Sequence, residues 1–344
     1  MSTAFGLGTF GDVTVDATGA TQHPATVVRQ LIDQGVLADQ VGVDAFAIGE
    51  HHRDDFAVSA PDVVLAGLAT RTERILLASG VTVLSSDDPI RVHERFATVD
   101  ALSSGRAEVQ LGRGSFTESF PLFGFDLRDY DVLFEEKLDL YARLLEGGPV
   151  SWEGTTRTPV RDVTVHPATE HGPLKTWIGV GGSPESVVRA ARYRIPMMLA
   201  IIGGPADRFQ PFAQLYRRAL AEFGHETLPV GVHSPGHIAE TDDQARADLW
   251  PFFKANRDRI GRERGWGETT YDQFEYDIDH GALYVGSPET VAAKIARTVQ
   301  LLELDRFDLK YANGPMPHET LMTSIELYGS QVIPHVRELL AAAD

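Results

Sequence analysis

The stretch AFAIGEHHRDD, Ala45 to Asp55, sets Glu50, His51, His52, Arg53, Asp54 and Asp55 directly behind a short apolar run. A glutamate beside two histidines puts carboxylate and imidazole at one place. Imidazole titrates near neutral pH, so Glu50, His51 and His52 suit general acid–base work. Metal binding suits them less. Neighbours on an extended chain point to opposite sides, so His51 and His52 do not converge on one ion. His233 and His237 lie four apart, but on a segment read as strand and turn, where that spacing gives no shared ligand face. The plain alternative is a solvated loop with charges along it. The following DDFAVSAP argues against that, being apolar enough to fold the loop back onto the protein.

Three further stretches carry chemistry. LASGVTVL places Ser79 and Gly80 inside a β-rich run, where a glycine marks either close approach of another group or a bulge. QLGRGSF ends a run in Gly112, Arg113, Gly114 and Ser115; a guanidinium flanked by bare backbone suits a phosphate, or pairs with a nearby acid. GVGGSPES sets Ser183 as an N-cap, Pro184 in the first turn and Ser186 at the third position of a helix. Its free N–H groups can hold an anion, and Gly181 and Gly182 clear the approach. A second start, VGSPET, has one glycine fewer before the cap and ranks below the first. Arg113 after one strand and Ser183 after the next could clamp one phosphate between them. The spacing is neither that of a Walker loop nor the dinucleotide fingerprint.

Such residues need a scaffold that brings strand ends together. Apolar runs at 5–7, 45–48, 74–84, 106–112, 175–182, 196–202, 228–238 and 306–312 alternate with helix-period segments at 61–72, 89–103, 129–145, 183–194, 206–223, 242–262, 287–302 and 319–342. Uninterrupted alternation predicts a parallel sheet with helices outside, and about eight units predict a closed (β/α)8 TIM barrel, with a doubly wound open sheet as the alternative. No linker divides the chain, so residues 1–344 read as one barrel domain. The segment 147–173 alternates polar and apolar residues between Gly/Pro ends and reads as an inserted hairpin. In a barrel, function sits at the C-terminal ends of the strands, where Glu50, Gly80, Arg113 and Ser183 all fall.

The totals agree. The 344 residues carry a formal net charge of −18 and no basic stripe, which disfavours nucleic acid. No apolar run is long enough for a membrane span and the N-terminus lacks a signal-peptide pattern. With no cysteine there is no disulfide framework and no thiolate chemistry. A cytoplasmic location fits.

In order along the chain, GEHHRDDF, ASGVTVLSSDDPIRVHERFATVDALSSGRAEVQLGRGSF, LFGFDL, GVGGSPESVVRAARYRIPMML, YVGSPETVAAKI and SIELYGSQVIPHVREL resemble the bacterial luciferase-like flavin monooxygenase family. The resemblance implies a (β/α)8 barrel with an insertion after the fourth unit. It places Glu50 and His51 at the flavin, His51 beside the reactive edge of the ring, and a non-prolyl cis peptide at Gly80–Val81 packed on the flavin. It makes Arg113 the phosphate-binding arginine and Ser183 and Ser186 the hydroxyls at the phosphate-binding helix start. The light-emitting member has a glutamate and a reactive cysteine where this chain has Gly182 and Gly112, which turns the expectation from bioluminescence to a plain monooxygenase or a reductase-type relative. The implied cofactor is FMN, reduced by a separate reductase, acting with O2 on a small apolar substrate. The alternatives are an F420-dependent hydride-transfer enzyme on the same barrel, a flavin-binding protein without turnover and, disfavoured by ligand spacing, a metal hydrolase. DDFAVSAP and the 147–173 insert are the candidate lids, and a homodimer is the implied assembly.

Overall fold

The computed structural model describes residues 3–114 and 116–343. Twelve strands are numbered in chain order: β1 (Ala4–Thr9), β2 (Ala45–Ile48), β3 (Leu76–Ser79), β4 (Thr82–Val83), β5 (Ala107–Gly112), β6 (Val150–Trp152), β7 (Val160–Val163), β8 (Lys175–Val180), β9 (Met197–Ala200), β10 (Val230–Ile238), β11 (Tyr284–Gly286) and β12 (Arg306–Lys310). Eight of them pair in parallel in the order β1-β2-β3-β5-β8-β9-β10-β12, and β12 returns to β1 to close the barrel. The expected (β/α)8 barrel is therefore present. Strands buried on both faces explain why the barrel runs read as nearly continuous apolar stretches; every residue of β2 and of β5 is buried.

The barrel interior holds charge as well as hydrocarbon. Arg306 is hydrogen-bonded to Asp308 at 2.8 Å and to Glu108, and all three side chains are almost wholly buried. Gly6 is required beside them, because a Cβ there would stand 2.1 Å from Asp308 Oδ1. Burial works against the Arg306 charge, but Asp308 and Glu108 outweigh it and hold the guanidinium more firmly protonated than usual.

The outer helices begin where the sequence places prolines and caps. Pro61–Ala69, Pro89–Ser103, Pro184–Arg192 and Pro288–Leu302 each carry proline in the first turn, where its missing N–H costs nothing. Two helices are not announced by apolar spacing. Pro24–Gln40 interrupts its buried face with Gln34, Gly35 and Asp39, the glycine because a Cβ would press into Leu68 at 2.6 Å. Tyr271–Asp279 buries only Phe274 and Ile278. The closing helix, expected unbroken, is split into His318–Leu327 and Ile333–Ala341 by a π-helical turn at Tyr328–Val332. Pro334 offers no N–H for the preceding turn, and the widened turn relieves the mismatch.

The insert forms the antiparallel β6–β7 hairpin, after the fourth barrel strand and its helix Tyr130–Leu145. Val150, Trp152 and Val160 pack on Leu140 and Leu144 of that helix, so the hairpin's apolar side covers a flank rather than the barrel mouth. β11 pairs only with the far end of β10 and stands outside the closed ring. Among the described residues, no helix is long and apolar enough to cross a membrane.

Candidate functional site

Four neighbouring barrel strands, β2, β3, β5 and β8, deliver the sequence-predicted residues to one mouth. After β2 the chain turns sharply, and His51 N donates to Val58 O at 3.0 Å while Ala57 N donates to Gly11 O at 2.7 Å. DDFAVSAP thus folds back as expected, burying Phe56 and Val58. Glu50 and His51 are buried with it. The His51 ring sits in an aromatic cage, stacked on Phe56 at 4.5 Å and meeting Phe10 and Phe116 edge-on at 4.7 and 5.3 Å. His52 points elsewhere, as alternation requires: its Nε2 donates to Glu50 Oε1 at 2.9 Å and its ring meets Phe123 at 5.0 Å. Glu50 Oε2 accepts Val83 N at 2.9 Å, and Glu50 N donates to Val81 O at 3.2 Å, so this glutamate joins the β2 turn to the segment after β3.

That segment contains the cis peptide Gly80–Val81. Gly80 N donates to Ile48 O at 2.8 Å, and a Cβ on Gly80 would lie 3.1 Å from Ala47 Cβ. Val81 projects across the tops of β5 and β8. A Cβ on Gly112 or Gly179 would come within 2.5 or 3.1 Å of its methyls, so those glycines are the room Val81 occupies.

Arg113 and the first helix start converge. Arg113 Nη2 donates to Ser186 Oγ at 3.4 Å, Nη1 to the exposed Asp131 at 3.0 Å, and the guanidinium lies 5.1 Å from the Tyr130 ring centre. Ser183 caps the helix, its Oγ accepting Ser186 N at 3.3 Å and donating to Ser186 Oγ at 3.0 Å. Beside them a Cβ on Gly181 would meet nothing within 4 Å, whereas Gly182 adopts φ +100° near Phe209 and Phe212. The second SPET start shows what an anion does at such a place. There Asp242 accepts from Ser287 N at 2.6 Å and from Thr290 Oγ1 at 3.0 Å, so the chain fills that site with its own carboxylate. Among the described residues no carboxylate accepts from the Ser183 start; a cation faces it instead. A guanidinium, two hydroxyls and a helix N-terminus with open space beside Gly181 form a donor set that fits a phosphate monoester. Ser115, read with the Arg113 turn, lies outside the described residues.

Sequence reasoning missed several residues here. Glu118 accepts from His51 Nδ1 at 3.3 Å and from His52 N at 3.4 Å. The short helix Ser119–Phe123 follows and brings Phe123 to His52. His233 and His237, read as strand and turn, both lie in β10. Pro235–Gly236 resembles a turn, but the strand runs through it because Gly236 leaves room for β11; a Cβ there would stand 2.3 Å from Tyr284 O. His233 is buried parallel to Phe10 at 6.1 Å, and burial, helped by positive Lys310 and Arg306, pushes its imidazole down to about 4. An ionic bridge fastens the whole β2 loop: Arg53 binds Asp55 at 2.9 Å and Glu263 at 2.7 Å, and Arg259 binds Asp54.

With this geometry in view, the comparisons with known proteins are decisive on one point. The family model described as luciferase-like monooxygenase matches residues 8–303. The chain belongs to that family. Among curated relatives, this luciferase-like chain is 27% identical to a limonene 1,2-monooxygenase of Rhodococcus erythropolis, covering 97% of this chain and 88% of the relative. It is 28% identical to an N-acetyl-S-alkylcysteine monooxygenase of Bacillus subtilis, covering 84% and 88%. Among solved structures, the monooxygenase RslO1 of Streptomyces bottropensis superposes with TM-score 0.84 at 23% identity, covering 96% and 99%. The oxygenating constituent of 3,6-diketocamphane monooxygenase from a Pseudomonas putida plasmid, solved with FMN, gives 0.77 at 17%, covering 97% and 99%. The F420-dependent tetrahydromethanopterin reductase of Methanopyrus kandleri gives 0.70 at 19%, covering 98% and 100%. These three likenesses establish the shared fold. This luciferase-like family member is a flavin-dependent oxidoreductase.

Proposed function

We propose that this protein is an FMN-dependent monooxygenase that takes up reduced FMN from a separate reductase and oxidises a small apolar substrate with O2. The observation that carries the reading is the meeting of Arg113 with the Ser183–Ser186 helix start on the same barrel mouth as the caged His51. Arg113, Ser183 Oγ and Ser186 Oγ would hold the phosphate, with Gly181 leaving space for it. Gly80 and Val81 would support the ring, and the aromatic cage around His51 would keep bulk water from the ring edge. Bound reduced FMN supplies the electrons that activate O2. His51 then has a defined task, to hold or deliver a proton at Nε2, while Glu50 orients His52 through Nε2–H.

Fluorescence-quenching titration with FMN, reduced FMN and F420 tests the cofactor. Saturable quenching by the FMN forms is expected; binding of F420 with none of FMN would replace this reading by F420-dependent hydride transfer, which the same phosphate anchor would serve. His51→Ala should keep reduced-FMN affinity within a few-fold. It should also alter the pH profile of the rate at which O2 reoxidises the bound cofactor. An unchanged pH profile in stopped-flow absorbance would take the proton-handling role from His51.

A further inference from the structure

The structure assigns to Glu118 the positioning of His51, holding its imidazole in the Nδ1–H form so that Nε2 is the nitrogen left for chemistry. Glu118 belongs to the segment after β5, where the buried Ser119 and Phe120 pin the short helix that follows it. Its Oε1 accepts from His51 Nδ1 at 3.3 Å and from His52 N at 3.4 Å, so one oxygen orients the ring and fixes the backbone between the histidines. On its other sides the His51 ring meets Phe10, Phe56 and Phe116. Glu118 is the polar group bonded to that ring among the described residues.

The surrounding charges do not compete for the ring. Glu50 is engaged by His52 and Val83. Asp55 is held by Arg53. Arg53 and Arg264 lie over the Phe116 ring, and Lys310 over the Phe10 ring. In such a cage a carboxylate on one nitrogen decides the tautomer and steadies the imidazolium. Burial, the largest single influence, pushes the Glu118 carboxyl up, yet the hydrogen bonds it accepts from His51, from its own backbone N–H and from His52, together with the pull of the His51 ring, outweigh it and hold the group below the usual carboxylate range. Its other oxygen, Oε2, is buried without a partner among the described residues, a desolvation cost that a purely structural acid would avoid.

The same turn carries Arg113, so anchoring an anion and orienting the imidazole fall on one short piece of chain. The assignment rests on the proposed proton-handling role of His51, but its test contains no flavin, so the two fail separately.

Long-range 1H–15N spectra of the imidazoles are recorded against pH on the purified full-length protein, His51 being identified by its loss in His51→Gln. The wild type should show the Nδ1–H tautomer. Glu118→Gln should mix the tautomers, since a neutral amide no longer favours a proton on Nδ1. Glu118→Asp should fall between the two, and Glu50→Gln should move His52 and leave His51 in place. A His51 in the Nε2–H form in the wild type would overturn the assignment. So would a tautomer unchanged in Glu118→Gln; should that variant fail to fold by circular dichroism, an unchanged His51 in Glu118→Asp decides against it equally.

Discussion

Arg113→Ala is expected to weaken FMN binding about 100-fold while leaving riboflavin, which lacks the phosphate, bound within a few-fold of its wild-type affinity. The guanidinium is the cation that the structure places at the Ser183 helix start, 3.4 Å from Ser186 Oγ, and about a third of it is exposed. A charge-assisted hydrogen bond to a phosphate contributes roughly 1.5–3 kcal/mol, and 2.7 kcal/mol corresponds to about a hundredfold in affinity. What remains in the variant is the helix N-terminus with its two hydroxyls, which still favours an anion but weakly. Comparing the two ligands removes any general damage to the pocket. Isothermal titration of wild type and variant with both ligands reads the effect; equal losses for FMN and riboflavin would mean that Arg113 supports the mouth without touching the phosphate.

Arg306→Met is expected to lower the unfolding free energy by about 4 kcal/mol, in line with the 3–5 kcal/mol cost of breaking a buried ion pair. The reason is asymmetry. Arg306 binds Glu108 and Asp308 in a barrel interior where all three side chains are at most 5% exposed. Methionine matches the stem of the arginine, so little packing is lost, but two carboxylates are left without their cation. Gln110 Nε2, at 3.5 Å from Asp308, is a poor substitute. Adding Glu108→Leu to Arg306→Met should recover part of the loss, because one stranded charge is then gone. Urea denaturation followed by circular dichroism measures both variants; a loss below about 1 kcal/mol for Arg306→Met would show that the triad is not held as a closed ionic group.

The barrel was legible because its signal is physical and local. AFAI is apolar throughout since both faces of the strand are covered, AEVQLG is buried along its whole length with Glu108 and Gln110 turned to the charges inside the barrel, and SPES declares a helix start through its cap and its proline. Arg113 and Ser183 were legible one at a time. Their convergence follows only once β5 and β8 are known to be neighbours, which chain order in a barrel supplies. Glu118 was not legible, for an acid in an aperiodic turn carries no mark of the imidazole it will meet. The run 228–238 was legible as a strand, but the turn-like Pro235–Gly236 within it, where Gly236 admits β11, hid that His237 lies on the strand together with His233. Helix Pro24–Gln40 was hidden because its buried face spends positions on Gln34 and Asp39, and Asp39 instead binds the backbone N–H groups of Glu73, Arg74 and Ile75. In each case the obscuring residue serves a tertiary partner rather than its own element.

The most direct measurement is a crystal structure of the protein soaked with FMN. The phosphate is predicted within hydrogen-bonding distance of Arg113, Ser183 and Ser186, with the ring over Gly80–Val81 and its edge toward His51. A phosphate bound away from Arg113, or a ring remote from His51, would contradict the account.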